Sequence, residues 1–273
     1  MSHVIAIANQ KGGVGKTTTA INLGASLAAA EQRVLLIDID PQGNATSGLG
    51  VNARVTKASF YGVLLNRLPL GAAIVRGVHF PLLDVVPTTT SLVGAEAELV
   101  GQPKWQFRLR EALDGVREMY DFVLIDCPPA LGVLTLNSLV AADTVLIPLQ
   151  AEYFALEGLS SFAETLEVVR KHLNPRLGVE GILLTMFDGR LKLAQQVAEE
   201  ARSYFGGRVF RTVVPRNVRL AEAPSFGKPT LHYDVASGGA QAYLAVANEV
   251  ILRSPMMEVD GHRFHFRQEA LAG

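Results

Sequence analysis

Two lysines bracket a run of glycines in Lys11-Gly12-Gly13-Val14-Gly15-Lys16, and Thr17 and Thr18 follow at once. An apolar run, His3 to Ala8, precedes this stretch, and helically spaced apolar residues from Ala20 to Ala25 follow it. A strand, a glycine-rich turn and a helix in that order make a cradle for phosphate. Glycines let backbone N–H groups curl around an anion, and the helix N-terminus adds the positive end of its dipole. Candidate phosphate contacts are therefore Lys11, Gly12, Gly13, Val14, Gly15, Lys16, Thr17 and Thr18. Lys16 is placed to reach the β- and γ-phosphates of a nucleotide, and Thr17 to offer its hydroxyl to Mg2+.

Carboxylates stand at two further strand ends. Arg33 to Ile37 is an apolar run ending in Asp38-Ile39-Asp40-Pro41-Gln42-Gly43-Asn44, and Phe122 to Ile125 is another, ending in Asp126. Strand alternation sets Asp38 and Asp40 on one side, at the carboxyl edge where parallel sheets bind ligands. Two carboxylates facing a triphosphate repel it unless they serve Mg2+, a water or a lysine. An acid closing an apolar strand brings its carboxylate to the water shell of Mg2+ beside Thr17. Thr17, Asp40 and Asp126 are the candidate metal contacts. Pro128-Pro129-Ala130-Leu131-Gly132 forms a loop suited to sensing a γ-phosphate.

The loop departs from the ordinary phosphate-loop pattern, which wants glycine where Gln10 stands, and it carries the additional Lys11. In this it resembles the deviant Walker A motif of the ParA/MinD ATPases, and the chromosome-partitioning Soj-type branch most fully, from about residue 3 to 253. The resemblance implies an ATP-sandwich homodimer in which Lys11 reaches the phosphates held by the partner subunit. It implies catalysis through Lys11, Lys16, Asp40 and Asp126, with Asp40 orienting the attacking water and Asp38 supporting Lys11. It further implies adenine contacts from Met186, Pro215 and Asn217, and non-specific double-stranded DNA contacts from Arg190, Arg219 and Arg216. A ParB/Spo0J-type centromere-binding partner and a cytoplasmic, nucleoid-associated location belong to the same expectation. The Asn-Lys-x-Asp pattern of guanine-selective proteins does not occur, so ATP is favoured over GTP.

The whole chain fits this picture. At 273 residues with 49% hydrophobic and 19% charged residues, it can bury a full core. A net charge of −1 conceals an uneven spread, because residues 171–230 hold 10 Lys and Arg against 5 Asp and Glu. That excess suits the phosphate line of duplex DNA, or else an ordinary solvated basic face. The single cysteine, Cys127, permits neither an internal disulfide nor an intersubunit iron–sulfur cluster needing two cysteines per subunit. No signal peptide and no membrane-spanning stretch is expected. A MinD-like membrane association would need a basic amphipathic helix near the C-terminus, where Pro255, Asp260 and Gly261 stand instead.

The elements required are those of an α/β fold of the P-loop NTPase type, a mainly parallel twisted sheet with helices on both faces. Residues 1–253 read as one ATPase domain and 254–273 as a tail of unknown role. Strands are expected at 3–8, 33–37, 82–87, 121–126, 143–150, 179–187 and 209–214. Helices are expected at 17–30, 88–99, 106–119, 154–172, 195–205 and 240–252, with shorter ones at 59–66 and 69–77.

Overall fold

A computed structural model describes residues 2–53, 59–152 and 155–254. Six parallel strands form one sheet in the order β3-β2-β4-β1-β5-β6. They are β1 (His3–Ile7), β2 (Val34–Asp38), β3 (Leu83–Val86), β4 (Phe122–Asp126), β5 (Thr144–Gln150) and β6 (Gly178–Thr185). The helices between them are α1 (Lys16–Ala29), α2 (Asn44–Gly48), α3 (Phe60–Leu64), α4 (Leu92–Val100), α5 (Arg108–Asp114) and α6 (Val133–Ala141). After β5 come α7 (Ala155–His172), α8 (Lys192–Phe205), α9 (Val218–Glu222), α10 (Thr230–Tyr233) and α11 (Gly238–Arg253).

The strands are largely apolar because both faces are covered, and their alternation divides the core in two. Val4, Ala6, Leu35, Ile37, Val123 and Ile125 pack with α3 to α8 on one face. Ile5, Ile7, Val34, Leu36 and Leu124 pack with α1 and α11 on the other. Register then fixes the functional edge. Ile7 pairs with Asp126 and Asp38 with Asp126, so the carboxyl ends of three central strands finish level.

Several expected elements take another form. Residues 209–214 are not a seventh strand, and only isolated bridges join Ile182 to Val209 and Phe187 to Pro215. The N–H groups of Phe210 and Val214 do reach the carbonyls of Ile182 and Leu184. Between them, however, the Glu249 carboxylate accepts from the N–H groups of Arg211 and Thr212 at 3.0 and 2.7 Å and interrupts the ladder. The expected helix at 106–119 is shorter, because Gly115 ends α5 and one-turn 3₁₀ segments flank it. The segment 69–77 holds a 3₁₀ turn at Leu70–Ala73, and Val75 then bridges to Val85. The helix expected from Thr88 starts at Leu92, and the Thr88 N–H donates to the Thr46 hydroxyl. Of the expected tail, 254–273, all but Ser254 lies outside the described residues, as does Phe154.

Gly181 lets the 208–210 segment lie against β6. A Cβ there would stand 2.6 Å from the Phe210 ring and 2.7 Å from the Arg208 carbonyl oxygen. Gly181→Ala should therefore cost about 1–3 kcal/mol of stability. A lower urea midpoint with an unchanged denaturant slope is the expected readout. A wild-type midpoint would mean that the 208–210 segment gives way freely.

Candidate active site

The glycine loop crosses from β1 to α1 at the level edge of the sheet. Gly13 and Gly15 adopt left-handed backbone at φ +74° and +89°, and no other described atom lies within 4 Å of where a Gly12 or Gly13 side chain would begin. None of the N–H groups from Gly12 to Gly15 donates to another described residue. Gly15 occupies the N-cap position of α1 without a side-chain cap, so the first turn of that helix also presents free donors. The result is a ring of unsatisfied N–H groups at a positive helix end, which fits an anion.

Neighbouring side chains hold this loop in shape. Asn9 is buried, donates to the Pro148 carbonyl at 2.8 Å and accepts from the Lys11 N–H at 3.0 Å. Thr185, at the end of β6, donates to the Val14 carbonyl at 2.8 Å. Nothing in the sequence marks either residue, because a lone Asn or Thr at a strand end carries no pattern.

Lys16 is buried, and its ammonium donates to the Lys11 carbonyl at 3.0 Å. Burial lowers its pKa, while the nearby charges of Asp126 and Asp40 work the other way. Lys11 points outward and its ammonium pairs with Glu152 of the same chain at 2.6 Å, both side chains being half exposed. The Lys11–Glu152 pair joins the loop to the segment after β5, a partnership that sequence distance conceals.

Asp38 and Asp126 lie side by side at the ends of β2 and β4, both fully buried. Burial pushes the Asp38 carboxyl up to about 6 and Asp126 well above the carboxylate range. Asp38 is well supplied with donors: the Thr46 N–H at 2.8 Å, the Thr46 hydroxyl at 2.6 Å and the Asp40 N–H at 3.2 Å. Asp126 has none that is well aligned, and both of its oxygens are buried without a hydrogen bond. The Thr17 hydroxyl nonetheless lies close enough to favour its charged form. A buried carboxylate with two unmet lone-pair sites beside a threonine hydroxyl suits a hard cation. Among the described residues, no cluster of three or more His, Cys, Asp or Glu could hold a metal by itself. Thr17, Asp126 and Asp40 therefore fit Mg2+ that also draws on waters and phosphate oxygens. Asp40 is nearly buried and accepts from the Gln42 N–H at 3.0 Å, which fixes its turn. Cys127 is buried, with its thiol pushed up to about 12 by desolvation, in keeping with a packing role.

Residues expected at a base pocket come together at the β6 edge. Met186 has left-handed backbone at φ 48°, and the next residue, Phe187, bridges Pro215. A side chain on Gly238 would begin 3.7 Å from the Asn217 amide nitrogen and 3.8 Å from Pro215. Asn217 caps α9, accepting from the Arg219 N–H at 2.9 Å. Of the three arginines, Arg190 and Arg216 lie near Asp188, and Arg219 sits on α9.

Thr46 links Asp38 to the rest of the edge, since its hydroxyl donates to Asp38 and accepts from the Thr88 N–H at 3.0 Å. Thr46→Val keeps the shape and removes both hydroxyl bonds, leaving the buried Thr88 N–H unmet and Asp38 with one donor fewer. A loss of about 1–3 kcal/mol is expected, measured by urea unfolding, with Thr46→Ser restoring most of it. Equal stability of the valine variant would remove Thr46 from this role.

A family profile described as "AAA domain" matches residues 2–179. The chain is 56% identical over 253 residues to the chromosome partitioning protein ParA of Myxococcus xanthus, covering 93% of this chain and 89% of that protein. It is 53% identical over 250 residues to the sporulation initiation inhibitor protein Soj of Bacillus subtilis, covering 92% and 98%. Among solved structures it is similar to cobyrinic acid a,c-diamide synthase from Mycobacterium smegmatis with bound ADP and magnesium, at TM-score 0.81 and 36% identity, covering 93% and 96%. Identity above one half along nearly the whole of the partition proteins, together with a six-stranded parallel sheet bearing the two-lysine glycine loop, places this chain in the ParA/Soj family of chromosome-partitioning ATPases.

Proposed function

We propose that the chain hydrolyses ATP with Mg2+ to drive segregation of DNA, and that residues 1–253 act as one ATPase domain. The observation that carries the reading is the glycine loop with its free N–H groups, set beside the unpartnered oxygens of Asp126. The partition proteins, at 56% and 53% identity over the same span, support a role in segregation over amide synthesis, whose solved representative is 36% identical. No helix among the described residues is long and apolar enough to cross a membrane.

In this reading the Gly12–Gly15 backbone and Lys16 hold the phosphates, and Thr17 and Asp126 hold the metal and its waters. Bound Mg2+ neutralises charge on the β- and γ-phosphates. Met186, Pro215 and Asn217 grip adenine. Asp40 orients the attacking water, held in place by its own turn and by Asp38 through the Asp40 N–H. Lys11 leaves Glu152 to reach the phosphates of a second copy, so that two protomers close face to face over two nucleotides. The dimer joins two sets of Arg190, Arg216 and Arg219 and binds duplex DNA without sequence preference, in the cytoplasm and on the nucleoid. A ParB/Spo0J-type protein stimulates hydrolysis, and ADP releases the DNA. Such a cycle needs slow unassisted turnover, and a water oriented by Asp40, with no arginine assigned to the γ-phosphate in this scheme, is compatible with it.

The test is binding to random-sequence duplex with ATP, ADP or no nucleotide across a salt series. Asp40→Ala should keep ATP-dependent DNA binding and lose turnover, whereas Lys16→Ala should lose both. Equal binding in every nucleotide state would defeat the switch. Arg219→Ala should weaken DNA association several-fold while dimerisation with ATP persists, and loss of dimerisation as well would make Arg219 structural.

A further inference from the structure

Two of the arginines read from the sequence as DNA contacts are neutralised in three dimensions. Arg219 donates from Nη1 to Glu222 at 2.8 Å and forms an ion pair through Nε with Asp234 at 3.2 Å, and its guanidinium lies 5.9 Å from the Tyr233 ring centre. Tyr233 in turn donates its hydroxyl to Glu222 at 3.3 Å and stacks on Phe226 at 5.1 Å. Arg190 grips Asp188 through two nitrogens, at 2.8 and 2.7 Å. Arg216 has no ion-pair partner among the described residues. Two guanidiniums are thus held by three carboxylates, and only Arg216 of the three cations stands open.

We infer that Asp188, Glu222 and Asp234 are built-in competitors of DNA phosphate, occupying Arg190 and Arg219 so that a single protomer holds duplex DNA poorly. This rests on the DNA-binding reading above and adds its regulation. A phosphate meeting Arg219 must displace a carboxylate or share the guanidinium with two of them, and each carboxylate also repels the incoming strand. The geometry favours competition over mere positioning, because Arg219 carries one positive charge against two negative ones. Such self-screening scales with the number of patches. If removing one carboxylate strengthens a patch by some factor, two patches acting on one duplex gain the square of it, within the limits of linked binding. The screen lowers the hold of one patch and of two, and only two joined patches, whose affinities multiply, still hold DNA.

The experiment uses the full chain and a random-sequence duplex at fixed salt. Asp234→Asn and Glu222→Gln should each raise the association constant of the nucleotide-free protein roughly two- to fivefold, the scale of one exposed ion pair. The gain should be larger with ATP. Glu200→Gln removes the same charge from exposed α8 and controls for bulk electrostatics, and an unchanged ATP hydrolysis rate checks that each variant is folded. If the wild type binds duplex with ATP and both variants merely match Glu200→Gln, the screening idea fails while the DNA reading stands. If neither wild type nor variants bind duplex in any nucleotide state, the DNA reading itself falls and the inference falls with it.

Discussion

The structure turns on the level finish of β1, β2 and β4, which sets a loop of unsatisfied N–H groups against two buried carboxylates. Neither half is comfortable alone. The loop gathers donors and the end of a helix dipole with no acceptor, while Asp126 keeps two oxygens out of water with no aligned donor. Lys16 compensates in part, though burial also weakens its hold on a proton. A polyphosphate with a divalent cation supplies what both sides lack.

Around that edge, small polar side chains act as ties between elements distant in sequence. Asn9 joins the loop to β5, Thr185 joins it to β6, and Thr46 ties the segment after β2 to Asp38 and to the segment after β3. A shift at any one of these points must move its partners, because each tie is a buried bond whose loss leaves a polar group unmet. A further tie has no side chain at all. Gly50 and Gly227, both left-handed, touch backbone to backbone and press the segment after α2 against the one that carries Arg219.

Much of this arrangement was legible in the residues themselves. The glycine loop, the strand-end aspartates and the long buried strands each have a local signature, and the structure gathers them as their spacing implies. What stayed hidden was of two kinds. Helix α6 is buried over most of its surface, so Val133 to Ala141 lacks the polar stripe that betrays a helix. Pairings such as Lys11 with Glu152, or Arg219 with Asp234, depend on tertiary contact and leave no periodic trace. The 10-to-5 excess in residues 171–230 is correct as a count, yet it does not reveal that Arg190 and Arg219 are held by carboxylates.

The Glu249 carboxylate that occupies the N–H groups of Arg211 and Thr212 has a wider effect than ending a ladder. Beside β6 it takes up donors that would otherwise invite another strand. At the opposite margin, Val75 folds back on Val85 and exchanges both backbone bonds with it. With both margins of the sheet thus guarded, copies of this chain are discouraged from zipping together edge to edge.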